Sequence, residues 1–176
     1  MKSQSVFLPE DILIPHFGDK PIVGVEIGTG AGGGSAAMLL LIPNLKLYCI
    51  DAWKHMPGHL YEAEFYSQEL HDKQYELAIA RLKLYPPERS VVLRMTSDEA
   101  IFHVPSPIHF LWIDGDHRYE QVKKDIVNWM PKIIKPGGLI SGHDYIQAPG
   151  VTQAVDEIFG KNIRTGDDFT WWVEFR

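Results

Sequence analysis

With 176 residues, 45% of them hydrophobic and 23% charged, the chain has the composition of a single soluble globular domain with its own core. A formal net charge of −6 and the lack of any basic run argue against nucleic acid as its partner. The only cysteine, Cys49, lies in an apolar run and has no internal partner, which fits a reducing compartment.

The opening stretch, MKSQSVFLPEDILIPHF, has Pro9, Glu10, Asp11 and Pro15 among its apolar residues, unlike a secretory signal. No segment has the length of a membrane span, so a cytoplasmic protein away from membranes is expected. Residues 1–20 read as an N-terminal segment and 21–176 as the core of one domain. Along that core, PIVGVEIG (21–28) is a β-rich run ending in glycine, and residues 35–42 follow as a helix. LKLYCID (45–51) is a second strand, and 59–85 reads as helix, in one piece or two, stopped by Pro86 and Pro87. A third strand (90–95) precedes a short helix (97–104) with Ser97 as its cap, and IHFLWID (108–114) is the fourth strand. The next helix (119–134) places Val122, Ile126, Trp129 and Met130 on one face. Pro136, Gly137 and Gly138 turn the chain into a fifth strand, GLISGHDY, before a helix at 151–160 and two last strands near 162–165 and 169–175.

Alternation of this kind predicts an α/β fold, a doubly wound and mostly parallel sheet with helices on both faces. Ligands of such sheets bind beyond the carboxyl ends of the strands. Those ends carry the polar clusters: the glycines at 28–34, Asp51, the Ser97-Asp98 pair, the Asp114–His117 stretch and the His143-Asp144 pair.

The loop VEIGTGAGGGS (25–35) has five glycines within seven residues, more than a tight strand–helix turn needs. Glycine lets a ligand approach the backbone, and the following helix offers free N–H groups to a nucleotide. Gly28, Gly30 and Gly33 fit the dinucleotide spacing G-x-G-x-x-G, which keeps a nicotinamide-dependent oxidoreductase as an alternative. Glu26, Gly28, Gly30 and Gly32 also fit the acidic-x-G-x-G-x-G loop of methyltransferases that use S-adenosylmethionine. A carboxylate at 26 would repel a pyrophosphate yet engage the cationic amino-acid end of that methyl donor. Asp51 suits a ribose diol in either case.

The loop, followed in order by IDGDHRYEQVKKDI (113–126), KPGG (135–138) and GHDY (142–145), resembles the class I S-adenosylmethionine-dependent methyltransferases, within them a small bacterial branch. The resemblance runs from about Pro21 onward and implies a Rossmann-like sheet of seven strands, the last antiparallel. It implies that Glu26, Gly28, Thr29, Gly30, Gly32 and Ser35 hold the methionine end of the donor. Asp51 and Ala52 would lie at the ribose and Ser97 and Asp98 at the adenine, with Asp114 closing the site. The chain is also similar to divalent-metal O-methyltransferases of the catechol and caffeoyl type. That similarity implies a metal, Mg²⁺ or Mn²⁺, on Asp114, His143 and Asp144. His143 departs from the carboxylate usual there and moves the preference away from Mg²⁺, while a metal-free site with His143 as the base is the alternative.

Methyl transfer to a hydroxyl needs the acceptor placed in line with the departing sulfur and deprotonated. Asp114, His117 and His143 are the catalytic candidates, because an imidazole or a metal-bound hydroxyl supplies that deprotonation. Asp116 reads equally as a cap for the helix near Tyr119, and His55 and His59 as solvated loop residues near the site mouth. The expected reaction is O-methylation of a small molecule, with a non-catalytic donor-binding protein as the other alternative. Nearly the whole chain is core, so acceptor choice rests on the N-terminal segment, the 53–62 and 145–151 loops, or the second subunit of a homodimer.

Overall fold

The computed structural model describes residues 8–55 and 67–176. A π-wound stretch, Leu8–Leu13, runs into a short helix α1 (Ile14–Phe17), where the sequence predicted no element. Pro15 stands in the first turn of α1, where its missing N–H has no intrahelical partner to lose, so it does not break the helix.

Strands β1 (Ile22–Ile27), β2 (Leu45–Asp51), β3 (Ser90–Arg94), β4 (Phe110–Ile113), β5 (Leu139–Gly142), β6 (Arg164–Thr165) and β7 (Trp171–Glu174) form one sheet of order β3-β2-β1-β4-β5-β7-β6. The first five are mutually parallel, and β7 runs antiparallel to both β5 and β6. This is the expected Rossmann-like α/β fold. Strand order reverses between β1 and β4, so a crevice opens beyond their carboxyl ends.

Residues alternate between two cores along every central strand, as the two-residue period of a strand requires. Val25, Ile27, Tyr48, Ile50, Leu111 and Ile113 face one core, completed by α5 (Tyr119–Trp129) and α6 (Pro149–Phe159). Ile22, Leu45, Leu47, Cys49, Phe110 and Trp112 face the other, completed by α1, α2 (Gly33–Leu41) and α3 (Gln68–Leu82). Cys49 is buried there as expected. Burial on both faces explains why these strands read as nearly continuous apolar runs.

Several boundaries move from their predicted places. The part of the predicted 59–85 helix before Ser67 lies mostly outside the described residues; α3 starts at Gln68, capped by the Ser67 hydroxyl. The helix predicted at 97–104 shortens to α4 (Ser97–Ala100), and its cap is Thr96 rather than Ser97. Thr96 and Glu99 exchange side-chain and backbone hydrogen bonds in a capping box, which frees the Ser97 hydroxyl for another partner. The 119–134 helix ends at Trp129 and tightens into a single 3₁₀ turn, Met130–Lys132. Strand β5 stops at Gly142 because Asp144 takes a left-handed backbone (φ 62°) that bends the chain off the sheet. No helix among the described residues is long and apolar enough to cross a membrane.

Gly24 illustrates how tightly β1 is fitted. A Cβ there would stand 2.1 Å from the Phe110 ring of the neighbouring strand. Gly24→Ala is expected to cost about 1–3 kcal/mol of stability by overpacking. The cost should shrink in a Phe110→Ala background, a coupling that a double-mutant cycle in urea unfolding measures.

Candidate active site

The glycine loop leaves β1 at its carboxyl end and is held from several sides. Gly28 and Thr29 donate to the Ile50 carbonyl (2.8 and 3.3 Å), and Gly30 donates to Asp51 Oδ2 (2.9 Å). Trp53 Nε1 donates to the Gly30 carbonyl (2.7 Å), and Arg81 of α3 donates to the Ala31 carbonyl (2.6 Å). Gly28, Gly30 and Gly32 all have positive φ (92°, 52° and 75°), a conformation costly for other residues. At Gly28 the space is also lacking, since a Cβ would lie 2.1 Å from the Asp114 carbonyl oxygen. The turn after β1 is thereby pressed against the turn after β4.

Beyond this loop lies a cleft of about 530 Å³. Gly28, Gly30, Asp51, Ala52, Ser97, Asp98, Asp114 and His117 line it, all predicted site residues. Asp98 puts one carboxylate oxygen toward Lys124 (2.7 Å), while its Oδ1 is buried without a partner among the described residues. Asp51 uses its two oxygens on the backbone N–H groups of Gly30 and Trp53, so it ties the loop to the end of β2 as well as lining the cleft.

Glu26, Thr29, Gly32 and Ser35 lie outside the lining of the cleft. Glu26 points into the core beneath α2 and accepts a hydrogen bond from the Ser35 hydroxyl. Burial, offset in part by that bond, pushes its carboxyl up to about 8, so it holds its proton at neutral pH. The side chain that sequence reasoning aimed at a cationic ligand is instead buried, and through Ser35 it seats α2 on the sheet. Gly34 completes the fit, because a Cβ there would come within 3.1 Å of Glu26 Oε1.

On the far side of Asp114, the loops after β4 and β5 meet. One ligand atom each from Asp114, His143 and Asp144 fall within 4.8 Å of one another. Asp144 Oδ2 is 2.9 Å from His117 Nε2, and its Oδ1 is 3.3 Å from His143 Nδ1. Burial drives the Asp114 carboxyl up to about 7; His143 draws it down and Asp144 adds to the rise. Two carboxyls and an imidazole at this spacing form a donor set suited to a divalent cation. Asp116 accepts from the Arg118 backbone N–H (2.9 Å) and clamps the Arg118 guanidinium, so it braces the turn before α5. It is not the cap the sequence suggested, because the N-cap is Arg118, with no side-chain cap bond. His55 lines the cleft, and His59 lies outside the described residues.

Sequence reasoning missed Gln121 and Asp125 of α5, which also line the cleft. Asp125 is buried, accepting from Ser97 Oγ (2.6 Å) and Gln121 Nε2 (3.0 Å). Its signal was an acid three residues from Val122 and four from Trp129, on the apolar face of the helix. Burial raises its carboxyl to about 7 against the hydrogen bonds that lower it. The folded chain therefore holds a proton that the unfolded chain releases near pH 4, and stability is lost as pH climbs from about 4 to 7. Asp125→Asn keeps an acceptor for Ser97 and removes the titration. Its Tm should match the native chain's at pH 4 and exceed it by a few degrees at pH 8, which thermal unfolding at the two pH values measures.

A family model described as a methyltransferase domain matches residues 25–145, from β1 through the GHDY segment. Two curated relatives are uncharacterised proteins: y4gI of Sinorhizobium fredii, 32% identical over 56% of this chain and 10% of that one, and R132 of Acanthamoeba polyphaga mimivirus, 39% identical over 38% of this chain and 33% of that one. The chain thus spans a tenth to a third of the length of the curated relatives it matches. Among solved structures, the O-methyltransferase NovP shares the fold with a TM-score of 0.66 at 20% identity, covering 88% of this chain and 72% of that one. An rRNA methylase of Streptococcus thermophilus gives a TM-score of 0.66 at 14% identity, with 100% and 99% covered. The TDP-rhamnose 3'-O-methyltransferase CalS11 gives 0.62 at 21%, with 96% and 77% covered. A family match over more than half of the chain, on this sheet order and glycine loop, makes the chain a member of the S-adenosylmethionine-dependent methyltransferase domain family.

Proposed function

We propose that this domain transfers a methyl group from S-adenosylmethionine to a hydroxyl oxygen of a small molecule, with a divalent cation held by Asp114, His143 and Asp144. The observation that carries this reading is the convergence of those three side chains on the outer side of Asp114, which itself lines the cleft. The donor occupies the cleft, with the backbone of Gly28 and Gly30 near its methionine end, Asp51 and Ala52 near its ribose, and Ser97 and Asp98 near its adenine. The unpartnered Asp98 Oδ1 suits an amino group there. The acceptor comes from the other side, so its hydroxyl meets the methyl carbon next to Asp114.

The oxygen forms a bond to the methyl carbon as the carbon–sulfur bond breaks, and the hydroxyl proton has to leave. When bound, the cation supplies Lewis acidity that makes the hydroxyl easier to ionise. With the cation on Asp114, His143 and Asp144, the imidazole left to take the proton is that of His117, whose Nε2 stands 2.9 Å from Asp144 Oδ2. NovP and CalS11 are O-methyltransferases by name, which supports oxygen as the target. The S. thermophilus relative is named for rRNA, but a net charge of −6 is ill suited to a polyanion.

Calorimetric titration of metal-stripped protein tests this reading. S-adenosylmethionine is expected to bind both the native chain and Asp114→Ala, whereas Mn²⁺ binds the native chain and loses at least tenfold in affinity with the substitution. Equal Mn²⁺ binding by both proteins would remove the metal from the mechanism. No heat from the donor would remove methyl transfer itself. In a separate check, Asp144→Asn should lower methyl transfer by about 10²–10⁴-fold while the donor's affinity stays within threefold, because the residue orients both imidazoles and does not line the cleft.

A further inference from the structure

One wall of the cleft holds two acids, each of which uses a single oxygen on the protein around it. Ser97 and Asp98 at the start of α4, with Gln121 and Asp125 of α5, all line the cleft there. Two bonds join the elements: Ser97 Oγ donates to Asp125 Oδ1 (2.6 Å), and Lys124 Nζ donates to Asp98 Oδ2 (2.7 Å). Gln121 Nε2 also donates to Asp125 Oδ1 (3.0 Å). Asp125 Oδ2 and Asp98 Oδ1 are the oxygens left over, neither with a hydrogen-bond partner among the described residues.

The two remaining oxygens differ in character. Asp125 is 1% exposed, and no basic side chain pairs with it among the described residues. Burial raises its carboxyl to about 7; Ser97 and Gln121 oppose the rise, and Asp98 and Asp116 add to it. Below that pH the group is a neutral acid. Both neighbouring donors end on Oδ1, which marks it as the carbonyl oxygen, so the proton sits on Oδ2. Oδ2 is then a donor in want of an acceptor. Asp98, paired with Lys124 through its other oxygen, offers at Oδ1 an acceptor in want of a donor.

We infer that Asp125 is a specificity-determining residue for the methyl donor, its Oδ2–H bonding N1 of the adenine while Asp98 takes the amino hydrogen beside it. The inference rests on the methyl-transfer reading above and adds Asp125 to the adenine contacts proposed there. A 6-aminopurine sets an acceptor and a donor side by side on one edge, the pair that this wall lacks. A 6-oxopurine reverses both roles, with N1–H donating and O6 accepting. It would set an acid O–H against an N–H and a carboxylate against a carbonyl, leaving buried polar groups unpaired.

Calorimetry with S-adenosylhomocysteine and its 1-deaza analogue, in which a C–H replaces N1, tests the contact at pH 6 and pH 9. The ratio of the two affinities cancels any titration that does not act on N1. The native chain is expected to prefer S-adenosylhomocysteine at least tenfold at pH 6 and less than threefold at pH 9, where Asp125 has lost its proton. Asp125→Asn has to keep its oxygen toward Ser97 and Gln121, so its amide N–H takes the place of the acid O–H. That variant should hold the tenfold preference at both pH values. A native chain that binds the two ligands within threefold at pH 6 would overturn the contact. So would a native preference unchanged at pH 9, which assigns N1 to a donor that does not titrate, or loss of the preference in Asp125→Asn. Each of these results leaves methyl transfer standing. If S-adenosylhomocysteine gives no heat with the native chain, the methyl-transfer reading falls and this contact falls with it.

Discussion

The contact on which the site depends is the one between Gly28 and the Asp114 carbonyl, where a Cβ would stand at 2.1 Å. Strands β1 and β4 are neighbours at the point where strand order reverses, and their turns compete for the same space. Glycine at 28 resolves the competition and brings the nucleotide loop and the acid cluster into van der Waals contact. Asp114 consequently serves two neighbourhoods, lining the cleft on one side and joining His143 and Asp144 on the other. One carboxyl thus borders both neighbourhoods.

Burial sets the electrostatics around that contact. Glu26, Asp114 and Asp125 are each raised chiefly because water is excluded from them, to about 8, 7 and 7. Their environments give the shared shift different meanings. Glu26 accepts from Ser35 and is sealed under α2, so its place in the fold is structural. Asp125 shares Ser97 and Gln121 at the cleft wall, where a neutral acid and a hydroxyl make one polar surface. Asp114 alone of the three has both a like charge and a histidine beside it, Asp144 adding to the rise and His143 opposing it.

Much of this was legible from the residues. Apolar runs alternating with amphipathic stretches give the doubly wound sheet, and the rule that ligands sit beyond strand ends places Asp51, Ser97, Asp114 and Asp144 at one edge. Glu26 was misread because the spacing of a motif says which residue follows which and nothing of which face a strand residue takes. In β1 the odd-numbered positions face α5 and α6, which leaves Glu26 under α2. Asp125 was passed over because a single acid on an apolar helix face reads as an exception until its partner, twenty-eight residues earlier, comes into contact.

The sequence by itself determined the fold class, the glycine loop and the set of polar residues at the sheet's edge, since these follow from periodicity and from residue types that only certain backbone conformations admit. Only the tertiary structure decided which of those residues share a neighbourhood. The pairing of His117 with Asp144, the burial of Glu26 and the bond between Ser97 and Asp125 all join segments distant in sequence. Their charge states and exposure depend on how closely β1, β4 and β5 and their turns pack, and a linear pattern of residue types carries no record of that distance.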